Sequence, residues 1–269
     1  MYRLSPSTRT HLNFSVRHDQ NSRFKDEQSF KVSASHLLNN LETRLHGSIA
    51  TGSTNPSFIE LFGYAPSNFE GNPDLEPEKS ISYDLGVEQA LLNDQALIDL
   101  TIFQSDLNDE IVTVFDSATF RSTSKNDVQK STRVGLEFSA QAAFHQNWQF
   151  SASYTYLRSK DSAGLTEVRR PKHTGDLSAS RGFNNDLTEF NINVSFNGEQ
   201  EDLEFVASTP ITKVTLDSYT LVNTALKHDF NERLKGQITI KNLLDDQYSE
   251  VFSYRGTGRT VLAGLEYTF

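Results

Sequence analysis

The 269-residue sequence contains no cysteine, one methionine and one tryptophan. Without cysteine there is neither a disulfide framework nor a thiolate metal site, and a chain that avoids thiols suits an oxidising compartment. No apolar run approaches the roughly 18–20 residues of a membrane-crossing helix. No amphipathic helical pattern of useful length occurs either. Positive charge is scarce: a net charge of −10 disfavours nucleic acid as a partner, because phosphates need a basic patch. The opening Met1-Tyr2-Arg3-Leu4-Ser5-Pro6 lacks the basic-then-apolar order of a secretory leader. An exported protein needs one, so either this chain is the C-terminal part of a longer product or it is not exported.

What is abundant is aromatic: nineteen Phe and nine Tyr, enough to furnish two interfacial girdles. The mean hydropathy of −0.51 does not speak against a membrane, since barrel strands alternate and average out near a soluble protein. The stretch from Arg259 to Phe269 shows the alternation plainly. Val261, Ala263, Leu265, Tyr267 and Phe269 fall on one face of an extended strand. Thr260, Gly264, Glu266 and Thr268 fall on the other, with Leu262 an apolar intruder. The length matches the roughly 9–11 residues of a tilted membrane strand.

The same pattern recurs along the chain. Leu12, Phe14 and Val16 alternate with polar residues, as do Phe30, Val32 and Ala34, then Leu45, Gly47 and Ile49. Further segments centre on Tyr83, Leu100, Leu136, Phe150, Leu177, Ile192, Asn223 and Ile238. Short turns rich in Asn, a residue that tolerates the left-handed conformation, are expected at Leu38-Asn39-Asn40, Asn93-Asp94-Gln95, His145-Gln146-Asn147, Asn184-Asn185-Asp186 and Asn231-Glu232. Between them come long loops, at Ser53 to Glu78, Asp106 to Lys130, Asp161 to Arg170, Asn197 to Asp217 and Leu243 to Gly258. About twelve strands joined alternately by short turns and long loops predict an all-β, antiparallel transmembrane β-barrel over residues 1–269. A self-contained twelve-stranded barrel, acting as a passive pore or structural protein, is the alternative on the count alone.

Two segments are more specific. Gly71-Asn72-Pro73-Asp74-Leu75-Glu76-Pro77-Glu78-Lys79-Ser80 resembles a signature segment of TonB-dependent outer-membrane receptors. Lys241-Asn242-Leu243-Leu244-Asp245-Asp246-Gln247-Tyr248, leading through Arg255-Gly256-Thr257-Gly258-Arg259 into the last strand, is similar to another. The aromatic ending, with Tyr267 and Phe269, is similar to the signal read by the outer-membrane assembly machinery. The resemblance implies the C-terminal half of a plugged barrel of about 22 strands, in the outer membrane of a Gram-negative bacterium. It implies energised uptake of a scarce large ligand, a ferric siderophore or cobalamin, with cobalamin transporters somewhat closer in their ending. The implied partners are outer-membrane lipid and lipopolysaccharide, a small-molecule chelate, the missing N-terminal plug and barrel strands, and the TonB system through that missing part.

The motifs also have their own physics. In Asn72-Pro73 and Glu76-Pro77 each proline fixes φ and removes an amide donor, and the preceding residue is pushed to an extended conformation. An ordered corner leading from loop to strand is therefore expected there. In the loop before it, Phe58, Phe62, Tyr64 and Phe69 offer aromatic area for a large flat ligand, or pack on neighbouring loops. Arg169, Arg170 and Lys172 suit an anionic ligand or lipopolysaccharide phosphates, or a solvated rim. Tyr254, Arg255 and Arg259 offer the same choice.

The acidic run Glu199, Glu201, Asp202 and Glu204 reads as a solvated loop without calcium-loop spacing. Asp106, Asp109, Glu110 and Asp116 have no spacing that selects a cation. His11, His36, His46, His145, His173 and His228 are scattered, so no metal site or cofactor is expected. No Gly-x-Ser-x-Gly elbow surrounds a serine, so no enzyme is expected.

Overall fold

A computed structural model describes residues 2–38, 42–64, 67–144, 147–183, 187–206 and 211–269. Along the chain come β1 (Tyr2–Ser7), β2 (Thr10–Asp19), β3 (Glu27–Leu37) and β4 (Thr43–Thr54), then the short helix α1 (Phe58–Phe62). β5 (Phe69–Glu70), β6 (Glu78–Leu91), β7 (Ala96–Asn108), β8 (Ile111–Asp116) and β9 (Arg121–Asn126) follow. Next are β10 (Ser131–Phe144), β11 (Trp148–Lys160), β12 (His173–Phe183) and β13 (Thr188–Asn197). The hairpin β14 (Gln200–Glu204) and β15 (Thr212–Leu216) precedes β16 (Tyr219–Asp229) and β17 (Leu234–Lys241). Finally come β18 (Ser249–Val251), β19 (Tyr254–Arg255) and β20 (Thr260–Tyr267).

The chain divides into two compact units: residues 1–86, 102–134 and 159–166, and residues 87–101, 135–158 and 167–269. In the first unit the main ladder runs β1-β2-β3-β4-β6-β7-β10. Register puts Phe14, Val32 and Ile49 in one row and Asn13, Ser33 and Ser48 in the next. One face is thus apolar and the other polar, because neighbouring residues of a strand point to opposite sides. Ser48 donates to Asp84 across to β6, and Ser82 and Ser105 share a hydroxyl hydrogen bond of 2.9 Å. Over the long-loop end of this unit, β8 and β9 form a hairpin to which β5 adds in parallel.

In the second unit the ladder runs β6-β7-β10-β11-β12-β13-β16-β17-β20, with β6, β7, β10 and β11 divided between the two units. Its apolar face carries rows such as Ala152, Leu177, Val194 and Val222. The polar face carries Ser151, Ser178, Asn193 and Asn223, the last three linked by side-chain hydrogen bonds of 3.0 and 3.4 Å. β20 pairs in register with β17, and its two-residue period puts Val261, Ala263, Leu265 and Tyr267 on one face, with Val261, Leu265 and Tyr267 62%, 78% and 53% exposed.

The main ladder holds thirteen strands, one beyond the expected number. The addition is β1, whose apolar residues are few and whose Pro6 argues against a strand. It sits at the edge of the order, where a missing amide donor is tolerated. The long stretch before β6 is not wholly irregular, since α1 interrupts it. Ser57 and Glu60 form a reciprocal capping box there, at 2.6 and 3.3 Å, the signature Ser-x-x-Glu that marks a helix start. The expected turn at Asn93-Asp94 is present, with φ of 54° and 64°. The turn Asn184-Asn185-Asp186 lies outside the described residues, as do Asn39, Asn40, His145 and Gln146.

Candidate functional site

Candidate side chains gather on the long loops of each unit. In the first, α1 is one turn long and ends at Gly63, φ 72°, whose amide closes on the Ile59 carbonyl. A Cβ on Gly71 would lie 2.3 Å from the Gly63 nitrogen, so the two glycines let the loop cross itself in contact. That crossing presents Phe58, Phe62 and Tyr64, which are 81%, 58% and 72% exposed. Phe58 and Phe62 stack at 6.2 Å, and Tyr64 stacks on Phe69 at 5.9 Å. Arg23, from the β2–β3 loop, lies 4.9 Å above the Phe62 ring and donates to the Pro73 carbonyl at 3.1 Å.

The Pro-rich segment is an ordered corner. Leu75 is 2% exposed. Asn72 donates to the Ser124 carbonyl at 2.9 Å. Glu76 and Asn126 exchange backbone and side-chain hydrogen bonds, both 2.8 Å. The prolines leave few amides to satisfy, and Asn72 Oδ1 accepts from the Asp74 amide at 3.0 Å while Asn126 Oδ1 accepts from the Glu76 amide.

Beneath these loops the acidic side chains are engaged in structure. Asp106 accepts from Lys130 at 3.0 Å and from Thr132 at 3.2 Å. Glu110 accepts from Ser131, and Asp116 from Thr119 at 2.9 Å. Among the described residues no group of His, Asp and Glu could hold a metal ion. Four of the scattered histidines pair with hydroxyls: His11 with Ser5, His36 with Thr10, His173 with Tyr154 and His228 with Thr188.

In the second unit the loops meet on one carboxylate. Asp202 of β14 is 0% exposed. It accepts from the Phe252 amide at 2.6 Å, the Leu203 amide at 2.8 Å and Arg169 Nε at 2.8 Å. Burial by itself would raise its pKa. The two amides and the guanidinium outweigh that and hold the carboxyl below the usual range. This corrects the reading of the acidic run as merely solvated: Asp202 ties the loops after β11, β13 and β17 together. Arg169 has a φ of 58° and its own amide donates to the Glu201 carbonyl at 2.7 Å. Its guanidinium is held by protein, whereas Arg170 lies 3.7 Å from Glu167 and Lys172 sits 5.4 Å above Tyr156.

The last long loop hangs on Asn242, 3% exposed. Its Nδ2 donates to the carbonyls of Asp246 and Thr257 at 2.9 and 3.2 Å, and its Oδ1 accepts from the Asp246 amide at 2.9 Å. Tyr248 lies flat against Gly256, where a Cβ would fall 2.3 Å from the ring. Tyr219 and Tyr248 are 4.5 Å apart and, with Asp217, Ser253 and Arg255, line a cleft of about 400 Å³. Tyr254 is 67% exposed and stands 6.4 Å from Phe205, which packs on Phe252 at 6.0 Å.

Each unit therefore carries a two-faced wall with ordered, aromatic-rich loops at one end of its strands, the build of an outer-membrane barrel. A family model described as TonB dependent receptor-like, beta-barrel, matches residues 1–243. The chain belongs to this family, whose barrels stand in Gram-negative outer membranes. It is 25% identical over 279 residues to the iron-regulated outer membrane virulence protein of Vibrio cholerae, covering 96% of this chain and 42% of that one. It is 26% identical over 261 residues to the vitamin B12 transporter BtuB of Photobacterium profundum, covering 95% and 40%. The crystal structure of the siderophore receptor PirA from Acinetobacter baumannii superposes with a TM-score of 0.81 at 21% identity, covering 99% and 44%. The chain thus spans less than half the length of these relatives.

Proposed function

We propose that this chain is the C-terminal barrel portion of a receptor that takes up a scarce, large ligand through the outer membrane with energy from the TonB system. The ligand class we infer is a metal chelate, a ferric siderophore or cobalamin. The observation that carries this reading is the pairing of a two-faced wall with long loops fixed into hairpins at one end. Mobile loops would pay an ordering cost on each encounter, whereas the loops held by Asp202 and Asn242 in one unit, and by the Gly63–Gly71 crossing in the other, are each preformed. The names of the relatives support the ligand class, and Phe58, Phe62, Tyr64, Phe69, Arg170, Tyr254 and Arg255 are the side chains we assign to contact. Arg169 serves indirectly, through the Asp202 staple.

Strand parity argues against a self-contained pore. Successive strands of the ladders run antiparallel, so in a series of thirteen the first and last point the same way. A bacterial barrel closes with an even number, so closure calls for an odd number of further strands from the remainder of the receptor.

Deleting the gene should abolish growth on one ferric siderophore under iron limitation, or cobalamin-dependent growth, and the full receptor should restore it only when TonB is present. Restored growth without TonB would count for passive diffusion and against this reading.

A further inference from the structure

On the apolar face of β12, where Gly175, Leu177 and Ala179 precede it, stands one cation. Arg181 shares that face by the two-residue period of the strand, beside Trp148 and Phe190 in register. Its guanidinium carbon lies 4.9 Å above the Trp148 ring and 4.5 Å above the Phe183 ring. Its Nε is buried and has no hydrogen-bond partner. No carboxylate of the described residues is paired with it. Glu189, the acid on the adjoining strand, lies on the opposite face, 3.9 Å from Lys227.

The surroundings mark a depth in the membrane. Trp148 stacks on Phe150 at 5.4 Å, Phe144 lies 6.0 Å from Phe150, and Tyr267 and Phe269 stand 5.2 Å apart, all beside the short-turn ends of their strands. Aromatic side chains of this kind settle at the level of the lipid headgroups. A charge on a lipid-facing wall is tolerated at that depth and not at the midplane. The Nε edge of the guanidinium is buried, leaving its Nη edge to make hydrogen bonds, and a planar pair of N–H donors matches phosphate oxygens.

We propose that Arg181, clamped between Trp148 and Phe183, binds the phosphate of an anionic phospholipid at the short-turn end of the wall. The inference rests on the reading of this apolar face as bilayer-exposed. Aromatic clamping holds the fork in place before lipid arrives, and lipid phosphate supplies the counter-charge that the protein withholds.

The test uses the full receptor in proteoliposomes carrying brominated phospholipids, which quench nearby tryptophan. The emission of Trp148 is obtained as the difference between the receptor and its Trp148→Phe variant. Brominated phosphatidylglycerol should quench it at about fivefold lower mole fraction than brominated phosphatidylcholine, the effect of a single basic side chain at an anionic lipid surface. In Arg181→Gln the two lipids should quench alike, and in Arg181→Lys the preference should be partly kept. Equal quenching by both lipids in the unmodified receptor, or a preference that survives Arg181→Gln, would overturn the lipid site and leave the wall standing. If Arg181→Gln does not fold, loss of the preference in the unmodified receptor at high salt supports the site, and its persistence refutes it. Absence of quenching by either lipid in the unmodified receptor would remove the bilayer-exposed face, and the proposal with it.

Discussion

Asp202 shows how far one side chain can reach. Buried at 0% exposure, it gathers three donors from three segments, and its carboxyl is held below the ordinary pKa by the Phe252 and Leu203 amides and Arg169 against the pull of burial. A depressed folded-state pKa means that its contribution is complete above the unfolded value near ~3.9 and fades as pH falls toward the folded one. Hydrogen exchange should therefore find the Phe252 and Leu203 amides protected at neutral pH and freed only when acidification passes below the ordinary carboxylate range. In Asp202→Ala they should be unprotected at every pH, each buried amide left without a partner costing about 1–3 kcal/mol. Protection that persists in that variant would mean the loops are held from elsewhere. Asp202 sits in a run of acids that looks solvated, and its burial depends on Arg169, distant in sequence. Ser57 and Glu60, by contrast, form a helix start that is readable from spacing alone.

At the scale of an element, what matters is which face a strand turns outward. On β10, Val134, Leu136, Phe138, Ala140 and Ala142 share one face, and Arg133, Glu137, Ser139 and Gln141 the other. Replacing Leu136 with Arg should cost about 2–4 kcal/mol, the price of a charge at the bilayer midplane. Ser139→Arg, on the polar face, should change stability little. Denaturant unfolding of the reconstituted receptor measures both, and equal losses would show the faces to be reversed. Period-two patterning made these faces legible, because register cannot slip by one residue without turning every apolar side chain inward. Hairpins β8–β9, β14–β15 and β18–β19 were not legible. β9, β14, β18 and β19 are short and mostly polar. Although β8 is apolar and β-branched from Ile111 to Phe115, it lies within a long loop, where its pairing depends on segments already brought near by the wall.

At the scale of the whole molecule, among the described residues β1 and β20 each have a hydrogen-bond neighbour on one side only. Unpaired backbone groups in hydrocarbon cost several kcal/mol apiece. Expressed alone, the chain should aggregate, or at least fail to give a compact, heat-modifiable band on a gel, and co-expression with the remaining strands should rescue it. A compact monomer that conducts ions in planar bilayers would instead favour the passive pore.

The sequence by itself determined the wall: alternation is a local property of strands, so Val261, Leu265 and their counterparts declare their face without reference to anything distant. It also placed the turns at Asn93-Asp94 and Asn231-Glu232 and the Pro-rich corner, which follow from backbone preferences of single residues. Tertiary structure alone decided which polar groups lose water. Asp202, Asn242 and the Nε of Arg181 are buried by residues up to some tens of positions away, and desolvation is a sum over everything that surrounds a group.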